Sequence, residues 1–92
     1  MNTQQIHEHL ASLKDWELDS NKLIIHRKFQ FQDFHKTMGF VNAVADIAHQ
    51  ENHHPNMEVG YNYCHINYTT HSTGGLSDKD FICASRIDAL SF

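Results

Sequence analysis

Ninety-two residues with 40% hydrophobic, 11% aromatic and 20% charged side chains describe one folded domain, residues 1–92, and exclude a disordered chain. The formal charge is −4 and the seven Lys and Arg are scattered, which excludes the phosphate-backbone footprint of a nucleic-acid binder. No apolar run approaches the roughly 20 residues of a membrane span, so neither nucleic acid nor membrane is an expected partner.

The N-terminus, MNTQQIHEHLASL, lacks a basic segment followed by an apolar stretch and does not read as a secretory signal. A cytoplasmic setting with reduced thiols at Cys64 and Cys83 is the expectation. In the same segment Ile6, Leu10 and Leu13 recur at helical spacing. Asn2 is placed to cap that short helix, with Gln5 three residues on. The run DWELDSNKLIIHRKFQF reads as a hairpin with its reversal at DSN. Leu23, Ile25, Phe29 and Phe31 alternate on one face, Arg27 being the exception, and Trp16 stands near the start as an aromatic anchor.

At QDFHKTMGFVNAVADIAHQ the period changes to that of a helix capped by Asp33. Phe34, Met38, Val41, Ala45 and Ala48 form its main stripe, widened by Phe40, Val44 and Ile47. The arc is broader than one sheet face needs, so part of it is expected to meet another subunit. Pro55 ends the helix, because its ring disfavours helical geometry at His54. Period two then returns in MEVGYNYCHINYTTH, with strands at about 57–61 and 64–70 and a turn near Asn62. Cys64, Ile66, Tyr68 and Thr70 share one face; His65, Asn67, Thr69 and His71 share the other. A last helix follows STGG, with Ser77 and Asp80 in capping-box register and Cys83, Ala84, Ile87 and Leu90 as its buried stripe. The order α-β-β-α-β-β-α implies an α+β fold, a four-stranded antiparallel sheet with three helices on one face.

Nine histidines are many for this length, and HQENHHPN, residues 49–56, holds three of them beside the only proline. Three readings of this cluster stand side by side. His49 and His53 are spaced i, i+4, as in zinc sites, with His54 or His71 as a third ligand, although the His-Glu-x-x-His order is absent. Imidazoles also serve as acids and bases near neutral pH. The plain reading is a solvated helix end, where cationic His interacts favourably with the dipole. Likewise His71 alone reads as a surface residue at a strand end, and Asp80 as half of a capping box. No phosphate loop, GxSxG or Cys–His signature occurs.

The segment HHPNMEVGYNYCHINYTTHSTGGLSDKDF resembles the signature region of the pterin-4a-carbinolamine dehydratase family. That signature has His-His-Pro, an aromatic after a short strand, a His at the end of the next strand and an Asp opening the last helix. Here these are His53, His54, Pro55, Tyr61, His71 and Asp80. DWEL and FQFQDFHKTMGFVNAVADIA extend the similarity to about residues 14–91. Two positions depart: His49 stands where many members carry Glu, and Lys79 where many carry Arg.

The resemblance implies a lyase that dehydrates 4a-hydroxytetrahydropterin to quinonoid dihydropterin and water, with no metal or organic cofactor. It implies His53, His54 and His71 as catalytic residues. His53 and His71 would act as acids on opposite faces of the ring, and His54 would hold the pterin. Asp80 would orient His71 or a neighbouring donor, and Pro55, His49 and Lys79 would support the site. It also implies a role in tetrahydrobiopterin recycling beside an aromatic amino acid hydroxylase, and a homodimer or homotetramer. The alternatives are a protein-binding or coactivator module of the same fold, and a small metalloprotein using His49, His53 and His71.

Overall fold

A computed structural model describes all of residues 1–92. The elements are α1 (Thr3–Ala11), β1 (Glu17–Leu18), β2 (Ile25–Gln30), α2 (Phe34–Glu51), β3 (Asn56–Val59), β4 (Tyr63–Tyr68), a 3-10 turn at His71–Thr73, and α3 (Asp78–Asp88). The order is the expected α-β-β-α-β-β-α and the fold is α+β. The sheet is antiparallel with strands in the order β1-β2-β4-β3. No helix is long and apolar enough to cross a membrane.

Register decides which side chains meet the helices. Ile25 lies opposite Tyr68, and Phe29 opposite Cys64. The period of two then sends Ile25, Cys64, Ile66 and Tyr68 to one face, where each is fully buried. They join Phe40, Val44 and Ile47 of α2 and Phe81, Cys83, Ala84 and Ile87 of α3 in one core. His26, Lys28, His65 and Asn67 alternate onto the opposite face, where none is fully buried. Arg27 is the cation on the core side. It donates to Asp88 at 2.8 Å and lies over the Phe29 ring at 4.2 Å. Asp88 also accepts from Trp16 Nε1 and from the Lys14 amide, so it ties the end of α3 to the chain entering β1.

Local signals act as read. Asn2 and Gln5 close their capping box with two 2.9 Å bonds, and Asp33 accepts from the Lys36 amide at 2.9 Å. Between β1 and β2 the Asp19 carboxylate accepts from the amides of Ile24 and Leu23. These bonds, the one from Ile24 first, hold its carboxyl below the usual range. They also pull Leu23 into the turn, so it is 45% exposed instead of lying on the strand's inner face.

The long helix differs from expectation in which arc is buried. Phe40, Val44 and Ile47 are buried together with Thr37 and, from the main stripe, Ala48, whereas Phe34 of that stripe is 51% exposed and Ala45 is also exposed. The reason is Thr37. Its hydroxyl donates within reach of the carbonyls of Asp33 and Tyr61, at 2.9 and 3.0 Å, so a polar side chain is buried without penalty. The inner arc therefore starts one turn earlier than its apolar residues suggest.

Candidate active site

α2 stops through its backbone before Pro55 is reached. Asn52 takes a left-handed conformation with φ 52°, its N–H donates to His49 O at 3.2 Å, and the His53 N–H reaches Ala48 O at 3.0 Å. This is the Schellman pattern, and Asn tolerates its positive φ better than most residues. The reversal carries His53 off the helix axis. The expected shared face of His49 and His53 is therefore not formed, because the helix ends at Glu51. No three His, Cys, Asp or Glu side chains converge as metal ligands.

His53 is instead drawn into the core side of the junction. Its ring stacks on Tyr68, with centroids 5.2 Å apart and planes at 25°. The Tyr68 hydroxyl donates to the His53 carbonyl at 3.2 Å. Burial, followed by the neighbouring Cys83, pushes that hydroxyl far above its ordinary range, so it remains a donor. His53 Nε2 lies 2.6 Å from Asp80 Oδ1, and Asp80 is fully buried. Asp80 Oδ2 accepts from Thr70 Oγ1 at 2.8 Å and from the Ser77 amide at 2.9 Å. One carboxylate thus serves both as the capping-box acid of α3 and as the partner of a histidine 27 residues earlier.

Asp80 accordingly orients His53; His71 makes no bond to it. Nor does His71 end a strand. β4 stops at Tyr68, and His71 opens the 3-10 turn, exposed, with Gly74 left-handed at φ 71° behind it. Tyr61 lies in the loop between β3 and β4, 66% exposed, and contributes its carbonyl to Thr37.

A cavity of about 670 Å³ opens where α2 ends, β3 begins and β4 runs into the 3-10 turn. This lies within the range of small-molecule sites. His49, His53, His54 and Pro55 line it from the end of α2, His71 from the turn and Lys79 from the first turn of α3. Asn56, Asn67 and Thr70 add polar groups, and no carboxylate lines the wall. His49, His54, His71 and Lys79 are exposed, whereas the His53 side chain is only 12% exposed. Thr70 is the contributor that site reasoning passed over. Its signal was present: it continues the inward face of Cys64, Ile66 and Tyr68 as the one polar residue there.

Such a site can bind a flat polar molecule and move protons on it. The comparisons agree in kind. The family described as pterin 4 alpha carbinolamine dehydratase matches residues 1–90. A protein of Legionella pneumophila (strain Lens), named "Putative pterin-4-alpha-carbinolamine dehydratase", is 52% identical over 91 residues, covering 98% of this chain and 80% of its own length. A protein of the same name from Bdellovibrio bacteriovorus is 46% identical over 96% of this chain and 75% of its own. Among solved structures, a transcriptional coactivator/pterin dehydratase from Brucella melitensis superposes with a TM-score of 0.92 at 29% identity, covering 97% of this chain and 95% of that one. A pterin dehydratase-like RuBisCO assembly factor of the alpha-carboxysome shares the fold, with a TM-score of 0.70 at 23% identity over 85% of this chain and 90% of that one. The chain belongs to the pterin 4 alpha carbinolamine dehydratase family.

Proposed function

We propose that the protein is a hydro-lyase that converts 4a-hydroxytetrahydropterin to quinonoid dihydropterin and water by histidine acid–base catalysis. The observation that carries this reading is the convergence of His53, His54 and His71 on one cavity, with His53 held by a buried carboxylate. In the reaction the C4a–O bond breaks as an acid protonates the departing hydroxyl. A base takes the proton from N5, and the C4a=N5 double bond forms. Each proton transfer needs one positioned group, worth about 10²–10⁴ in rate. His53 and His71 are the acids for the two ring faces, and His54 holds the pterin and accepts the N5 proton. Asp80 fixes His53 as the carboxylate of a Ser-His-Asp triad fixes its imidazole. Pro55, His49 and Lys79 shape and charge the wall.

The proposed setting is the cytoplasm, in tetrahydrobiopterin recycling beside an aromatic amino acid hydroxylase that supplies the substrate. A homodimer or homotetramer is the proposed assembly. The test is rapid absorbance measurement of dehydration with His53→Ala, His71→Ala and the double variant. The double variant is expected to lose about 10²–10⁴ in kcat. Turnover at the wild-type rate in that variant sinks the assignment.

A second reading, a protein-binding or coactivator module of the same fold, is favoured by the outer stripe of α2, where Phe34 is 51% exposed and Met38 and Val41 are half-buried. Phe34→Glu separates the two. Lost association with dehydration intact assigns that face to binding and the cavity to catalysis.

A further inference from the structure

The hydrogen bonds around Asp80 carry more than a capping box requires. Its two oxygens receive three: His53 Nε2 at 2.6 Å on Oδ1, and Thr70 Oγ1 at 2.8 Å with the Ser77 amide at 2.9 Å on Oδ2. Thr70 has a single hydroxyl proton, and it is committed to Asp80. The 2.8 Å contact between Thr70 Oγ1 and Ser77 Oγ therefore runs the other way, with Ser77 donating to Thr70. The two hydroxyls form a one-way chain ending on a carboxylate that no solvent reaches. With Oδ2 filled by donors, Oδ1 is left as the acceptor for His53, whose Nε2 must then carry the hydrogen. His53 Nδ1 has no protein partner, and no buried side-chain nitrogen or oxygen is left unpaired, so Nδ1 opens to the cavity.

We propose that Thr70, with Ser77 behind it, is a positioning residue that locks neutral His53 in the Nε2–H tautomer, so that Nδ1 is the ring nitrogen that takes up a proton and, in the imidazolium, delivers it to the bound substrate. Neither hydroxyl has to touch the substrate for this. The inference rests on the proposed acid–base role of His53 for its kinetic consequence, but not for its structural one. The energetic logic is that a carboxylate with one donor missing can be satisfied by reorganising, and a reorganised Asp80 no longer dictates which ring nitrogen is protonated. The side chains act in series over residues 53, 70, 77 and 80: His53 follows α2, Thr70 follows β4, Ser77 caps α3 and Asp80 lies in its first turn, and only the fold brings them together.

The experiment uses the free full-length protein first and turnover second. The ¹⁵N shifts of the His53 ring report its tautomer without any substrate. Wild type is expected to show a single Nε2–H form when the ring is neutral, and Thr70→Ser the same. Thr70→Val, nearly equal in shape, is expected to show a mixture of both tautomers and a fall in kcat of about 10–100-fold, with KM within about twofold. Circular dichroism establishes that the valine variant is folded. If it is not, Ser77→Ala, which removes only the outer hydroxyl, takes its place with the same expectations in smaller degree. A single Nε2–H form in the folded Thr70→Val or Ser77→Ala protein overturns the proposal. A tautomer mixture with kcat unchanged supports the lock and refutes the catalytic role of His53. Absence of dehydration in wild type, with the tautomer mixture still appearing in Thr70→Val, sinks the functional reading and leaves the lock standing.

Discussion

His53 is held at three points: Asp80 at one ring nitrogen, the Tyr68 ring on one face, and the Tyr68 hydroxyl at its carbonyl. The charge and geometry of that one contact with Asp80 should be separable. Asp80→Asn keeps the size of the side chain but offers His53 an amide in place of two acceptor oxygens. The expected outcome is a loss of about 10²-fold or more in kcat with secondary structure retained, as when the carboxylate of a catalytic triad is amidated. Steady-state kinetics and circular dichroism of the variant check both halves. The neighbouring cysteines belong to the core and not to the chemistry. Burial pushes the Cys64 thiol up to about 11 and raises that of Cys83 as well, which keeps both in the unreactive thiol form.

Among the elements, α2 contributes most to the site by the way it stops. Pro55 forbids continuation, but the direction in which His53 leaves is set by the left-handed Asn52. Asn52→Gly should leave stability within about 1 kcal/mol of wild type, since Gly adopts positive φ freely. Asn52→Val should cost about 1–2 kcal/mol, because a β-branched side chain collides in that conformation. Urea unfolding of the two variants measures the difference, and equal midpoints for Gly and Val would remove this account of the helix end. The turn after β4 shows the same economy on a smaller scale. Thr73 Oγ1 lies 3.1 Å from the carbonyls of both Thr70 and Gly75, and the bridge between Thr70 and Gly75 closes the loop that presents His71.

At the scale of the whole molecule, three buried protons shape the pH response. Cys64, Cys83 and Tyr68 all titrate higher folded than their ordinary values, with burial as the first cause in each. The unfolded chain therefore releases these protons first as pH rises. The stabilisation is complete below the unfolded thiol value of 9.0 and is lost as pH climbs towards the folded value of about 11 for Cys64. The urea midpoint should fall across that window, and Cys64→Val should make the fall shallower. A midpoint independent of pH between those limits would show that these groups are ionised as easily in the fold as outside it.

Much of this molecule is legible along the chain, and the legible part is local. The periods of two and 3.6, the caps at Asn2, Asp33 and Ser77, and the break at Pro55 each depend on residues a few positions apart. Backbone geometry therefore fixed the element order and the α+β class without any knowledge of packing. The signature residues also announced a family, which the relatives along nearly the whole chain then showed. Tertiary structure alone decided which arc of α2 meets the sheet, because Thr37 finds its second acceptor at Tyr61, 24 residues away. It alone decided that Asp80 pairs with His53 and not with His71, because that choice depends on where the end of α2 lands over the first turn of α3. Sequence spacing names the groups able to exchange a proton; only the packed core determines which of them lie 2.6 Å apart.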